Sequence, residues 1–424
     1  MCDINRGRLL LLFSRDDVAA RRVLKQIQEH EIEHVSYVQG LDQRLEALKL
    51  KAPVELPLEL HLLEVPPDQE TWKIGFLNFY YKLALMEALS AGAMTPVDPA
   101  LTRSDRQFTL VADGLLSLSQ KTPQPPLGSI HATKFVFDPV HAVYKSSLNL
   151  PPQTSGRPKV KVAVLDTGLA SDAPFPASLD SRNLVSAANV MAPADDNGHG
   201  TVVALIIHDL APHAEFAIYK VVDQAGRASE WDTLAALVAA AQADIINLSL
   251  AFGLEDANCP ICGRETGSAR SAVFEVMLAD ILWRNPNAIV VAAAGNQGRP
   301  MLSFPARFGG VVAISSVTSH RVLSSFSNYG DLDEAGKPHD GRFALPGGEN
   351  AAAAMESVGK FSPGAGHFEG TSFAAAYASG LIANACGAPG YGSGQGLIGA
   401  LRQAADKGFP TYSPLQHGNG LMRM

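Results

Sequence analysis

The sequence predicts an α/β protein in two parts: a small N-terminal mixed α/β domain, then a larger unit built on a mainly parallel sheet covered by helices on both faces. Two observations carry this. After residue 130, runs that are apolar throughout (VKVAVLD, FAIYKVV, ADIINLSL, AIVVAAAGN and GVVAISSV) alternate with Ala-rich helical segments. Strands apolar on both faces and separated by helices belong in a parallel sheet buried on both sides. Ahead of them, KTPQPPLG (residues 121–128) holds three prolines in eight residues, which excludes helix or central strand and reads as a linker. The expected division is an N-terminal domain at 1–122, a Pro-rich linker at 123–129 and the larger unit at 130–424.

Within the N-terminal part, RLLLLFS reads as a strand. Val18 to His30 carries Val23, Leu24 and Ile27 on one helical face behind an Asp16/Asp17 cap. HVSYV reads as a second strand, and VELPLELHLLEV and the helical WKIGFLNFYYKLALMEALSAG follow. His30-Glu31-Ile32-Glu33-His34 matches the HExxH zinc-protease pattern, which needs one continuous helix so that both histidines share a face. Here the helical pattern gives way to HVSYV, so coincidence is expected. No motif in this part names a function.

Of the 424 residues, 46% are hydrophobic and 18% charged, an ordinary globular composition, and the formal net charge is -8. That balance argues against nucleic-acid partners and anionic membrane surfaces, and leaves proteins or peptides. The apolar run Leu9 to Phe13 is closed by Arg15, Asp16 and Asp17, too short for the core of a signal peptide, and no later run is long enough to span a bilayer. Four cysteines are not a disulfide framework in a chain of this length, so the expectation is a soluble, cytoplasmic protein with reduced thiols. Cys259-Pro-Ile-Cys262 looks like half a zinc knuckle, but with no second pair to complete four ligands, free thiols are favoured. No metal and no cofactor are expected.

Four polar residues sit where an apolar sheet would present them. Asp166 ends VKVAVLD, His199 stands between two glycines in DDNGHGTVVALII, Asn296 closes AIVVAAAGN, and Ser372 opens the helical stretch in FEGTSFAAAYASG. Each has a bland reading: Asp as a turn residue, His as a structural imidazole, Gly-Asn as a turn pair, Ser as a helix cap. Yet in α/β sheets functional groups gather at the carboxyl ends of strands, and four such coincidences are a poor explanation.

The stretch from about residue 130 onward resembles the catalytic domain of subtilisin-like serine proteases, through VAVLDTG, NGHGTVVA, INLSL, AAAGN, SSFSNYG and GTSFA in the family's order, and HGNGLMRM resembles its closing segment. The resemblance implies a subtilisin-like three-layer fold and a serine endopeptidase that hydrolyses protein or peptide substrates through an acyl-enzyme. It makes Ser372 the nucleophile, His199 its base and Asp166 the group that orients the base, with activity lost when acid protonates the imidazole. Asn296 and the Ser372 N–H would hold the oxyanion. It puts Ser249, Leu250 and Ala251 on one wall of the substrate cleft and Gly226 on the other, with Gly295 also substrate-binding; Arg227, beside Gly226, is a partner for an acidic substrate residue or, the favoured reading, a solvated side chain.

Three departures from the family pattern stand out. Ala251 and Phe252 replace a frequent Gly pair and should narrow or reshape the primary pocket. Ala374-Ala375-Ala376 replaces Ala-Ser-Pro and could change how the helix after Ser372 sits. The short connection TVVALIIHDLAPHAE lacks a calcium loop, so no calcium is expected there. Residues 1–122 lie where family propeptides lie and are expected to inhibit the cleft or to dock a regulatory protein. An inactive protease fold acting as a binding or scaffold protein is the alternative.

Overall fold

The leucine run of the first strand has no polar face, and its alternate side chains enter two separate cores. The computed structural model describes residues 4–50, 57–67, 69–90, 109–118, 130–151, 159–175, 180–185, 190–191, 193–252, 271–330, 341–351, 355–362, 367–386, 388 and 390–424. The linker and the Cys259/Cys262 pair lie outside these residues. The N-terminal region runs β1 (Ile4–Ser14), α1 (Val18–Gln28), β2 (Ser36–Gly40), α2 (Leu41–Ala47), β3 (Leu58–Glu64), α3 (Glu70–Ser90) and β4 (Thr109–Leu118). Its strands pair antiparallel in the order β4-β1-β3-β2.

Leu9, Leu11 and Phe13 pack with Val23, Ile27 and Leu77 of the two long helices. Leu10 and Leu12 point the other way. The period-2 alternation of a strand forces this split, so the sheet needs cover on both faces. Helix α1 is capped by Asp17, whose Oδ1 accepts from the Ala20 N–H at 2.9 Å. It ends at Gln28, two residues before the expected His30. His30 and His34 adopt left-handed φ values of 59° and 57°, so the HExxH pattern lies off any helix and carries no zinc-protease geometry.

The second region runs β5 (Phe135–Phe137), α4 (Val140–Ser147), β6 (Lys161–Asp166), β7 (Asp180–Asn183), α5 (His199–Leu210), β8 (Glu215–Lys220), β9 (Arg227–Ser229), α6 (Glu230–Ala239), β10 (Ile245–Leu248) and β11 (Leu250–Phe252). There follow α7 (Ala272–Arg284), β12 (Ile289–Ala293), β13 (Val311–Val317), β14 (Arg342–Pro346), β15 (Gly359–Phe361), α8 (Thr371–Ala385), α9 (Gly394–Ala404) and α10 (Pro414–His417). Seven strands form one sheet in the order β14-β13-β12-β10-β6-β8-β7, and every pair in it is parallel. The layering is the predicted one. Val162 and Val164 of β6 face a core shared with α5 and α8, while Ala163 and Leu165 face one shared with α6 and α7.

The other face of the N-terminal sheet finds its cover on that second layer. Leu10, Leu12, Leu60 and Leu62 share one core with Trp231, Leu234 and Phe274 of α6 and α7. Burying a leucine contributes about 1.5–3 kcal/mol, so these contacts hold the two regions together strongly. Among the described residues, no helix is long and apolar enough to cross a membrane.

On the opposite layer, α5 and α8 touch backbone to backbone. A Cβ on Gly380 would lie 2.8 Å from the Leu210 Cβ and 3.3 Å from the Ile207 Cα. Asn384 Nδ2 donates to the Leu210 carbonyl at 2.8 Å, a second tie between the helices. Alanine favours a helix over glycine by about 1 kcal/mol, but forcing a methyl into packed backbone costs about 1–3 kcal/mol, so packing wins. Gly380→Ala is expected to lower the melting temperature measured by calorimetry; an unchanged or raised value would show that the helices can separate freely.

Candidate active site

Strand β6 lies between β10 and β8, where the sheet's chain order reverses, and Asp166 is its last residue. A crevice opens at the carboxyl ends of parallel strands at such a point. Asp166 Oδ1 accepts from the Thr167 N–H at 2.7 Å and from His199 Nδ1 at 2.7 Å. Both side chains are fully buried. With its proton on Nδ1, the imidazole leaves Nε2 as an unprotonated acceptor. That atom, buried, has no hydrogen-bond partner among the described residues.

His199 opens α5, and its neighbours explain why it can reach Asp166. Gly200 N donates to Thr167 Oγ1 at 2.8 Å, and a Cβ there would lie 2.5 Å from the Gly168 carbonyl oxygen. Only glycine lets the helix start against the turn after β6. Asp195 anchors the same helix end, taking the Gly198 N–H at 2.7 Å on one oxygen and the Thr201 N–H and hydroxyl at 2.9 and 2.6 Å on the other. Lys220, opposite Asp166 in the adjoining strand, donates from Nζ to the Thr167 carbonyl and to Asp196, each at 2.7 Å. A buried cation thereby steadies the turn that carries the carboxylate.

Ser372 lies in the first turn of α8, where backbone N–H groups have no intrahelical acceptor and the helix dipole is positive. The His199 ring lies against Phe373, with centroids 5.1 Å apart. The Ser372 hydroxyl donates to the Ser249 carbonyl at 2.9 Å rather than to the imidazole. Asn296, after β12, is turned by its neighbour: its Oδ1 accepts from the Thr371 N–H at 3.0 Å and from the Thr371 hydroxyl at 2.9 Å. The same hydroxyl oxygen accepts from the Gly295 N–H at 3.2 Å. Oδ1 being occupied, the Nδ2 hydrogens point elsewhere, and Nδ2 is buried without a partner among the described residues. The region thus holds a carboxylate-bound imidazole with a bare nitrogen, a hydroxyl at a helix N-terminus and an amide donor without a partner among the described residues, the kinds of group that acyl transfer uses.

The predicted cleft walls are β9, following Gly226, and β11. Gly226 sits in a turn with φ of 80°, its N–H donating to the Asp223 carbonyl at 3.0 Å, and Arg227 pairs loosely with Asp223 at 3.6 Å. Leu250 and Ala251 lie on β11, and Ser249 is buried just before it. Phe252 turns into the core against Phe274. Between the two walls runs β4, antiparallel to both. Leu116 stands opposite Ala228 and Phe252, Ser117 opposite Arg227 and Ala251, and Leu118 opposite Leu250. Leu116 is itself 1% exposed. A strand of the N-terminal region thus fills the groove that the sequence reading assigned to substrate.

Three participants escaped the sequence reading. Thr371 was masked by its role as part of a helix start; Lys220 was signalled only as the one charge in FAIYKVV; and TLVADGLLSL, with Asp-Gly at its centre, looks like a turn. Among the described residues there is no group of three His, Cys, Asp or Glu side chains placed to hold a metal ion.

Residues 157–420 match the subtilase family. The chain is 32% identical over 192 residues to a thermophilic serine proteinase of Bacillus sp. (strain AK1), covering 42% of this chain and 43% of that protein. It is 29% identical over 191 residues to thermitase of Thermoactinomyces vulgaris, covering 42% of this chain and 62% of thermitase. Among solved structures, the prenylagaramide maturation protease PagA aligns at 25% identity and a TM-score of 0.48, over 68% of this chain and 96% of that one. The chain spans about half the length of the curated relatives it matches. With the family match extending over most of its length, the chain belongs to the subtilase family.

Proposed function

We propose that the protein is a serine endopeptidase whose cleft is held closed by its own N-terminal region. The observation that carries the catalytic part is the buried 2.7 Å bond between Asp166 and His199, which leaves Nε2 free to take a proton. In this reading the Ser372 hydroxyl swings from the Ser249 carbonyl to His199. Its Oγ attacks the scissile carbonyl carbon as Nε2 accepts the proton, and Asp166 stabilises the imidazolium. The tetrahedral oxyanion is held by Asn296 Nδ2–H and the Ser372 N–H. Collapse breaks the C–N bond, with His199 protonating the departing amine, and water then hydrolyses the acyl-enzyme by the same proton route. Substrate adds as an extended strand between β9 and β11, which makes the cleavable class unfolded or loop segments of proteins and peptides.

The domain division at 1–122, 123–129 and 130–424 belongs to this proposal. So does regulation: β4 occupies the place of a substrate strand, and a regulatory protein that engages residues 1–122 could draw it out. A cytoplasmic setting is part of the proposal and rests on the cysteine content, four in 424 residues. The Ser372 hydroxyl bonded to Ser249 and the filled groove favour a second reading, a binding protein that keeps the fold without the chemistry.

Labelling with a fluorophosphonate separates the two. Reaction at Ser372, absent in Ser372→Ala, is expected, and a folded wild-type chain that never reacts would sink the enzymatic reading. Asn296→Ala is expected to lower turnover about a hundred- to a thousandfold, the loss known for an oxyanion donor of subtilisin itself.

The closed cleft has its own test. Arg44 of α2 donates from Nη2 to the Leu184 carbonyl at 2.7 Å and to Asp232 at 2.8 Å, with both charged side chains less than a fifth exposed. Losing about 1–2 kcal/mol of that tie should raise the open population roughly 5- to 30-fold. Arg44→Ala is therefore expected to hydrolyse a peptide faster than wild type; an equal or slower rate in a folded variant would contradict inhibition by this region.

A further inference from the structure

A second carboxylate–imidazole–hydroxyl array lies away from the cleft and has no role in the steps above. His141 of α4 is 7% exposed and stacks on Phe137, with ring centroids 3.9 Å apart. Its Nε2 lies 3.0 Å from Asp209 Oδ2, and its Nδ1 meets the Tyr377 hydroxyl. Lys145 also donates to Asp209 Oδ2, at 2.8 Å. The Asp209 carboxyl is held down at about 2, chiefly by the His141 bond and then by Lys145, so it stays an ionised acceptor. Burial pushes the Tyr377 phenol well above its ordinary range, so it stays a donor. A neutral imidazole with its proton on Nε2 satisfies both partners at once.

The array is closed to substrate, since Tyr377 is fully buried. Its importance is in what it connects. Asp209 is near the end of α5, the helix that begins with His199, and Tyr377 is five residues after Ser372 on α8. Those helices already touch at Gly380 and Asn384, beyond Tyr377 toward the far end of α8, and at their starts, where the His199 ring packs on Phe373. His141 adds a third element, α4, that grips both helices from one side. The edge of Tyr144 meets the Tyr377 ring at 89°, and the Tyr144 hydroxyl donates to Glu356 at 2.7 Å, which fixes α4 in turn.

We propose that His141 is a positioning residue, bridging Tyr377 and Asp209 so that the helices carrying Ser372 and His199 keep the separation that proton transfer between them requires. This rests on the reading of those two residues as nucleophile and base. A small error in their separation is costly, because a misplacement of about 1 Å can slow an enzymatic step a hundredfold.

The experiment uses the full chain with Tyr377→Phe, which removes one hydroxyl without changing shape, and His141→Gln, which can still reach Asp209 but not Tyr377. Arg321→Ala, which cuts an ion pair with Asp406 on neither helix, serves as the stability control. Two readouts are taken below the melting temperature of every variant: the rate of fluorophosphonate labelling, and the imidazole resonances of His199 by NMR on nitrogen-15 histidine-labelled protein. Both test variants should label about tenfold more slowly and shift the His199 resonances, with the double variant no slower than the slower single one. The control should change neither. Labelling within twofold of wild type, with unmoved His199 resonances and only a lower melting temperature, would make the array a structural brace and overturn the proposal. If the wild type itself does not label, the protease reading fails, and unmoved or shifted His199 resonances still decide whether His141 positions that ring.

Discussion

The close approach of α5 and α8 across one face of a parallel sheet is the constraint from which the site follows. Parallel strands place all their carboxyl ends on one edge, and here both helices start at that edge, so His199 and Ser372 are each the first or second residue of a helix. Glycine at position 380 removes the side chain that would hold the helices apart. A helix N-terminus also supplies free N–H groups and a positive potential where an oxyanion would form. Placement of the hydroxyl and stabilisation of the charge therefore have one structural cause.

The polar residues around this edge form a hierarchy. Asp166 holds His199, Thr167 and Lys220 hold the turn of Asp166, and Thr371 holds Asn296 while lying directly before Ser372. Asn247 and Ser249 extend the pattern beneath α8, Asn247 Nδ2 donating to Ser379 at 3.0 Å and the Ser249 hydroxyl lying 3.0 Å from the Ser372 carbonyl. Buried polar groups of this kind cost energy unless paired. Two buried atoms without a hydrogen-bond partner among the described residues, His199 Nε2 and Asn296 Nδ2, are ones that a tetrahedral intermediate could engage.

How much of this could be read in advance depended on distance along the chain. Strands β6, β8, β10, β12 and β13 are continuous apolar runs, so their place in a two-sided sheet was legible. The two edge strands were missed: β7, with sequence DSRN, has no apolar run, and β14, with sequence RFALP, opens on a charge and is cut off by proline. Asp166, His199, Asn296 and Ser372 stood out because each marks the end of a strand or the start of a helix. Thr371 and Lys220 act only through partners remote in sequence, and Tyr377 and His141 are 236 positions apart, so no local pattern reveals them. The HExxH motif failed for the converse reason: its spacing was right, but two left-handed histidines break the helix it needs.

In the proposed reading, the N-terminal sheet poses the physical problem that a substrate must solve. Strand β4 bonds to β1 on one side of its length and to both cleft walls on the other end, so the groove is closed by a strand that belongs to a larger sheet. A tethered segment competes at an effective concentration on the order of millimolar, and here it is prepaid in entropy by the sheet that presents it. A free peptide must overcome that advantage, and it cannot do so by matching the same backbone bonds, which are equal for any strand. The difference has to come from loosening the leucine core and the Arg44 contacts that hold the sheet against α6 and α7. In the proposed reading, control of the cleft sits at a surface away from the candidate catalytic residues, where a change in docking alters access while leaving the geometry of Asp166, His199 and Ser372 untouched.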